Sequence, residues 1–412
     1  MSDNVIIVDP YSSGAMLAPL FRERGLTPVA VLSEDPPPAV YAPSFVPQDH
    51  DSVLVSGAGG ALQLDTVKRL DPVGVLPGTE CGVELADELA VALTPHLANV
   101  PERSTARRHK AAMQEALAAA GLRHVRQVCT DEPGEVHDWV AREGLSGKPL
   151  VVKPPKSAGT DSVLKIPAGV DWLPAFGSLL HRPNKLNQVN DRVLVQEMLV
   201  GDEYVVDTVS WDGRHTVTDV CRYDKTDNGP HMAVYDSMEF RDVDEPEHPE
   251  LLDYTFAAID ALGIRYGAAH SEVMLTADGP VLIETGARMH GGGHPEYCRL
   301  ATGDSQLDRL VTCYARAGTI PARYRLERAV TVVFLVAASA GVVSNVEVLA
   351  AAADLPSHYR SVVSVQSGQP VAATSDLFTA LGFIVLAHDD PEQVRRDRDA
   401  VKRLQTRLDI MS

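Results

Sequence analysis

The stretch His270-Ser-Glu-Val-Met-Leu-Thr-Ala-Asp-Gly-Pro-Val-Leu-Ile-Glu-Thr-Gly-Ala-Arg-Met-His-Gly-Gly-Gly-His294 decides how the chain is read. HSEVMLT alternates apolar and polar residues, A-D-G-P is a turn sequence, and VLIET is a short apolar strand. Together they predict a hairpin closed by glycines. Each strand carries one glutamate in apolar surroundings, Glu272 and Glu284. A loop with an odd number of residues (Ala277–Gly279) sets both on one face, with Cβ atoms roughly 5 Å apart. An even loop sets them on opposite faces. Facing carboxylates repel, so positive charge belongs between them. A hard cation fits: Mg²⁺, with Mn²⁺ as its substitute, takes one or two carboxylates and fills its shell with phosphate oxygens and water. Arg288 lies four residues past Glu284, placed to hold a phosphate in a bidentate fork. Gly291 and Gly292 allow close backbone approach to a substrate. The competing reading is a solvent-facing hairpin with acidic decoration. The apolar residues before Glu284 weigh against it.

The 412 residues allow two to four domains and a large core, and 45% hydrophobic content is that of an ordinary globular protein. A net charge of −19 argues against a basic nucleic-acid surface and requires any nucleotide site to concentrate its cations locally. The five cysteines form no C-x-x-C pair and are expected as reduced thiols in a cytoplasmic protein. No secretory leader is expected, and the apolar run Ala329–Val343 falls short of the roughly 20 residues that span a membrane. It is expected as a buried strand.

From the N-terminus, strand–helix alternation predicts a parallel α/β unit whose strand-end loops are the default ligand site. Gly57-Ala58-Gly59-Gly60 is a weak phosphate signal or a plain turn. Glu80 opens the helix VELADELAVAL, either complementing its dipole or holding a substrate ammonium. Pro101–Leu117 is expected as one basic helix carrying Arg103, Arg107, Arg108 and Lys110, either functional or a solvated face. Lys153 ends an apolar strand, and the small-residue loop Lys156–Ser162, with Ser157 and Gly159, is rich in backbone N–H groups able to fold over phosphates. A flexible turn is the alternative, and the G-K-[ST] order of a Walker loop is absent. Two strands flank Gln196–Leu199. Lys225 is placed to reach a phosphate or carboxylate, or else lies on the surface. The segment 226–244 is expected as a polar loop, and a charged helix, Pro391–Leu408, closes the chain. His270 is a candidate acid/base or positioning group, against a hydrogen-bonded core histidine. His290 and His294 are expected to shape a pocket.

The order of these features resembles the ATP-grasp superfamily over about residues 1–320. The runs P-G-T-E-x-G-V-E-L-A-D, V-V-K-P-P-x-S-A-G-T-D, G-D-E-Y-V-V-D-T-V and I-E-T-G-A-R-x-x-G-G-G are similar to the carboxylate–amine ligases that make dipeptides, the L-amino-acid ligases. The resemblance implies an α/β (α+β) fold with a parallel α/β N-terminal domain (1–105), a linker helix and lid (106–200), a central antiparallel-sheet catalytic unit (201–322) and a small C-terminal α+β portion (323–412). It implies ATP and Mg²⁺ as cofactors. Lys110 and Lys153 would contact the phosphates under the 156–162 loop. Glu197 would meet the adenine amine, Met198 and Leu199 would pair with the ring through their backbone, and Glu203 would bind the ribose. Glu272 and Glu284 would hold the metal, Arg288 would stabilise the transferring phosphate, and Glu80, Lys225, Gly291 and Gly292 would face the substrates. Many superfamily members carry an asparagine two residues after the second glutamate; here it is Gly286, which leaves the metal shell to water or a bidentate Glu284 and puts a second metal in question.

The implied reaction joins a carboxylate to an amine, both from amino acids, through an acyl phosphate, giving a peptide-like product, ADP and phosphate. It needs positioning and charge neutralisation rather than a nucleophilic side chain. Neither nucleic acid nor membrane is an expected partner; a homodimer is. The rivals are a bicarbonate-using carboxylase on the same fold and a non-catalytic nucleotide-binding protein.

Overall fold

The computed structural model describes residues 3–56, 64–228, 231–316 and 318–411; the Gly57–Gly60 segment lies outside them. Four short apolar strands open the chain: β1 (Asn4–Val8), β2 (Thr27–Leu32), β3 (Ser52–Val55) and β4 (Gly74–Pro77). They form a parallel sheet in the order β3-β2-β1-β4. Helices α1 (Leu17–Glu23), α2 (Leu64–Lys68) and α3 (Val83–Leu93) accompany them. Val5 and Ile7 pack toward α1, and Ile6 and Val8 toward α3, the alternation that a sheet covered on both faces requires.

The basic segment departs from the expected single helix. Two short 3-10 turns at Pro101–Arg103 and Thr105–Arg107 precede α4, which begins at Lys110 and runs to Ala119. The break has a local cause: His109 is extended, and its ring nitrogen caps the helix by accepting from the Ala112 N–H. Nor is the segment a solvated face. Arg107, Arg108 and Lys110 are all buried.

Strands β5 (Gln127–Thr130), β6 (Leu150–Lys153), β7 (Leu164–Ile166) and β8 (Val193–Glu197) pair antiparallel in the order β7-β6-β8-β5. Helices α5 (Pro133–Arg142) and α6 (Leu173–Leu179) pack on this layer through Trp139 and Phe176. The long strands β9 (Gly201–Trp211), β10 (Arg214–Asn228) and β11 (His231–Arg241) follow, then α7 (His248–Ala261) and the hairpin β12 (Gly267–Thr276) and β13 (Gly279–Gly286). The segment expected as a polar loop over 226–244 is therefore mostly strand. Val234, Tyr235, Met238 and Phe240 are buried there, so burial against neighbouring elements prevails over the polar local sequence.

After α8 (His294–Thr302) and α9 (Gln306–Tyr314) the chain returns to the same sheet. Strand β14 (Ala329–Leu335) pairs with β11 through Ser237–Val333, Met238–Val332 and Glu239–Thr331. The apolar run 329–343 is broken: β14 stops at Leu335 and β15 (Gly341–Val343) joins a separate small sheet. Strands β16 (His358–Val363), β17 (Pro370–Val371), β18 (Gly382–His388) and β19 (Ile410–Met411) and helix α10 (Pro391–Gln405) complete the chain. Because β18 pairs with β14 and β16 with β18, these three C-terminal strands extend the central sheet, while β15, β17 and β19 form the small separate one.

Candidate active site

The hairpin turn is the two residues Ala277 and Asp278, flanked by the pair Thr276–Gly279. By parity alone this even loop would place Glu272 and Glu284 on opposite faces. A β-bulge between Glu272 and Val273 corrects it: Val273 pairs with Leu282, but Glu272 pairs with Glu284. Ile283 is the extra residue, so Ile283 and Glu284 together oppose Glu272. The carboxylates thus face each other, by a route other than the odd loop.

Two cavities meet at this pair, and both are lined by Ala158, Glu272 and Glu284. The smaller, about 120 Å³, is walled by Lys110, Lys153, Ser157, Met198, Glu203 and Lys225 among others. The larger, about 430 Å³, holds His270, Arg288, His290, Gly291 and Gly292 at one end and aromatic residues at the other.

On the smaller side, Lys110 opens α4 with its Nζ 2.8 Å from Glu284 Oε2, and it donates to the Ser157 carbonyl at 2.9 Å. Burial, then the nearby Lys110 charge, lowers Lys153 to about 8. Lys225 is half-buried, 2.5 Å from Glu203 and 3.9 Å from Glu272, with its ammonium over the Tyr235 and Tyr223 rings. It lines the smaller cavity and not the larger, because strand β10 turns it toward Glu203 on β9. Burial raises Glu203 to about 7 against the pull of Lys225, with Glu272 adding to the rise. Burial also pushes Glu272 upward, but Lys225, His270 and the Tyr235 hydroxyl outweigh it and hold the carboxyl well below its usual range.

Several expected residues sit differently from the reading made above. The Glu197 carboxylate accepts the Arg126 backbone N–H at 2.9 Å and its guanidinium at 2.6 Å. Glu197 lines the smaller cavity together with Met198 and Leu199, its carboxylate held by Arg126. The Ser157 hydroxyl donates to Asp161, which also accepts the Lys185 backbone N–H. Gly159 belongs to the larger cavity, not the smaller; at φ +67° its missing Cβ would lie 3.1 Å from the Phe378 ring. Glu80 is not free for a substrate ammonium. It is 6% exposed, accepts from Arg288 Nε at 2.9 Å and lies 3.4 Å from Arg108. Two guanidiniums outweigh its burial and keep it ionised, so it anchors Arg288. This pair also accounts for Gly286: a Cβ there would lie 2.8 Å from Glu80 Oε2 and 2.9 Å from Arg288 Cζ, leaving no room for an asparagine. Gly291–Gly293 join the N-terminal unit to the site, since Gly292 and Gly293 donate to the Ser12 and Ser13 hydroxyls.

His270 belongs to a group that sequence reasoning did not assemble. Its Nδ1 lies 2.9 Å from Asp207 Oδ1, while Asp207 Oδ2 lies 2.8 Å from His290 Nδ1. The imidazoles stack in series: 4.0 Å between His270 and His290, 3.8 Å between His290 and His294. His294 in turn meets Asp219 at 2.9 Å. Burial opposes charge on His270, but Asp207 and Glu272 prevail and raise it to about 9. His290 is pushed the other way by burial and by its two imidazole neighbours. At neutral pH His270 is therefore a held cation beside Glu272, which suits positioning and not the removal of a proton. Asp207 in Y-V-V-D-T-V, a lone carboxylate within an apolar strand, was the available sign of this group.

Comparison with known proteins agrees with this geometry. Residues 146–295 match the family model described as the ATP-grasp domain, and 333–409 match L-amino acid ligase C-terminal domain 2. The chain is 33% identical over 325 residues to dapdiamide A synthase of Enterobacter agglomerans, covering 78% of this chain and 75% of that one. It is 24% identical to the uncharacterised protein y4rH of Sinorhizobium fredii, covering 67% of this chain and 56% of that relative. Among solved structures, L-amino acid ligase from Bacillus licheniformis superposes with a TM-score of 0.72 at 17% identity, covering 99% and 98% of the two chains. Carboxyaminoimidazole ribonucleotide synthase from Aspergillus clavatus, complexed with ATP, gives 0.69 at 15% identity, covering 99% of each. At these identities the structural likenesses establish the ATP-grasp fold.

Proposed function

The chain belongs to the ATP-grasp ligases that carry the L-amino acid ligase C-terminal domain, ATP-dependent enzymes that join a carboxylate to an amine, and from that premise we propose that it couples two amino acids into a dipeptide through an acyl phosphate. The observation that carries the proposal is the position of Glu272 and Glu284 at the junction of two cavities, one rich in lysine and one larger and largely apolar. ATP occupies the first. Lys110 and Lys153 neutralise its phosphates, the Ser157 loop covers them, and Met198, Leu199 and Glu203 line the nucleoside end. The paired carboxylates fit a hard cation, since their donors are all oxygen and lie on one face, Glu272 buried and Glu284 half-buried. Mg²⁺ held by Glu272 and Glu284 would neutralise charge on the transferring phosphoryl group.

The substrate carboxylate attacks the γ-phosphorus, the β–γ bridge bond breaks, and ADP leaves. The neutral amine of the second amino acid then attacks the acyl carbon, the C–O bond to phosphate breaks, and phosphate departs as hydrogen phosphate with the proton the amine gives up as the amide forms. Arg288, braced by Glu80, offers its remaining N–H groups to the migrating phosphate and the carbonyl oxygen. His270 positions Glu272. Enclosure by the Ser157 loop and Phe378 limits attack by water on the acyl phosphate.

The test is phosphate release from ATP and Mg²⁺ over all single and paired amino acids, with product masses recorded. Release that depends on a pair, with a dipeptide mass, is the expected result. Release with bicarbonate alone would replace this reaction with a carboxylation.

A further inference from the structure

The larger cavity changes character along its length. Its ionisable lining, His270, Glu272, Glu284, Arg288, His290 and His294, is gathered where it meets the nucleotide side. The far end is built by Met238, Val332, Phe334, Val362 and Phe383. No lysine, arginine or acidic group appears in that half of the lining. The aromatic rings form a continuous series of edge-to-face and tilted contacts. Tyr223 and Tyr235 are 4.9 Å apart, Tyr235 and Phe334 5.5 Å, Phe334 and Phe383 6.5 Å, and Phe383 and Tyr297 5.9 Å. The series starts at the reacting junction, because the Tyr235 hydroxyl donates to Glu272 at 3.2 Å. It passes through Phe334 on β14 and Phe383 on β18, both within the segment matching the ligase C-terminal domain, and reaches Tyr297 on α8.

Strand alternation fixes this wall. Val333, Leu335, Ile384 and Leu386 point into the core beneath α10. Their neighbours Val332, Phe334 and Phe383 must then face the cavity. Phe334 and Phe383 are the partly exposed aromatic residues packed against a buried cluster, which leaves ring surface for a ligand to cover. A charged side chain placed there would be desolvated with no partner, whereas an apolar one is favoured by the area it removes from water.

Resting on the ligase reading above, we infer that this end of the cavity receives a bulky uncharged side chain, aromatic or branched aliphatic, from one of the two amino acid substrates, and that Phe334 and Phe383 set its size limit. The amino and carboxyl groups of that substrate stay at the polar end beside Glu272 and Arg288, while its side chain runs along the ring series toward β18. The C-terminal strands thus select a substrate while the hairpin carries out the chemistry.

The experiment compares kcat/KM for amino acids in each substrate position, the other held at its best partner, in wild type, Phe383→Trp, Phe383→Leu and Phe334→Leu. In one position, bulky uncharged residues should exceed aspartate, glutamate, lysine and arginine by at least roughly 100-fold, and alanine by at least roughly tenfold. Phe383→Trp should lower the bulky-to-alanine ratio at least about tenfold; the leucine variants should move the optimum toward larger side chains. Binding of an ATP analogue is measured for each variant to show that the fold is kept. A best substrate with a charged side chain in both positions, or ratios unmoved in folded variants, overturns the inference while leaving the ligase standing. If no amino acid pair releases phosphate, the ligase reading itself fails and the inference falls with it.

Discussion

At the scale of single residues, the site is a set of buried charges that hold one another in place. Glu284 is 2.8 Å from Lys110, and Glu272 is surrounded by Lys225, His270 and Tyr235. Glu284→Ala should therefore cut turnover roughly 100-fold or more. Its thermal midpoint should stay within a few degrees of wild type, because Glu284 is partly exposed rather than core. Near-normal phosphate release from the folded variant would remove the metal role. Lys153 gives a pH test. Its folded pKa lies near 8, below its usual value, so it carries its charge below that pH and loses it as pH rises through 8. The KM for ATP should be flat up to about pH 8 and then climb, while Lys153→Arg, charged throughout, should abolish the climb. A KM still flat at about pH 9.5 in the wild type would contradict the contact.

At the scale of elements, the telling features are a bulge and a latch. The turn of the β12–β13 hairpin has the wrong parity for its own glutamates, and the bulge at Ile283 restores it. The extra residue lies on β13, the edge strand of the sheet, where a bulge disturbs one ladder only, and hairpin loop length alone does not reveal it. The latch joins the loop following β6 and the connection between α6 and β8 to the C-terminal unit. Lys185 lies 2.5 Å from the buried Asp376, the Leu377 N–H donates to the Gly159 carbonyl, and Phe378 stacks edge-on against Tyr41. Lys185→Ala should loosen this closure and admit water to the acyl phosphate. The readout is the ratio of phosphate released to dipeptide formed, which should rise at least about twofold; an unchanged ratio would show that the pair does not govern closure.

At the scale of the whole molecule, the central sheet is continuous from the β12–β13 hairpin to β16. The C-terminal strands cover the edge of β11 and complete the apolar end of the larger cavity. A chain ending at residue 328 should thus expose that edge, with Met238 and Phe240 beside it, and aggregate rather than fold as a smaller enzyme. Recovery of a soluble truncated monomer that binds ATP would show the C-terminal unit to be dispensable for the fold. Among the described residues no helix is long and apolar enough to cross a membrane.

What the sequence determined by itself is what local pattern and residue order can carry. The alternation of β12, the lysine ending β6, the order of the motifs and the parallel N-terminal unit were all legible, because short-range periodicity and turn residues encode them. The tertiary structure alone decided what depends on distant partners. Glu80 meets Arg288 across 208 positions of chain, Asp207 gathers histidines from two other elements, Lys225 turns toward Glu203, and the 226–244 segment becomes strand only because β10 and β14 flank it. Hydrogen bonds and ion pairs between residues far apart in sequence leave no periodic trace in it. The partners of a buried charge are fixed by packing, and packing exists only once the sheet has formed.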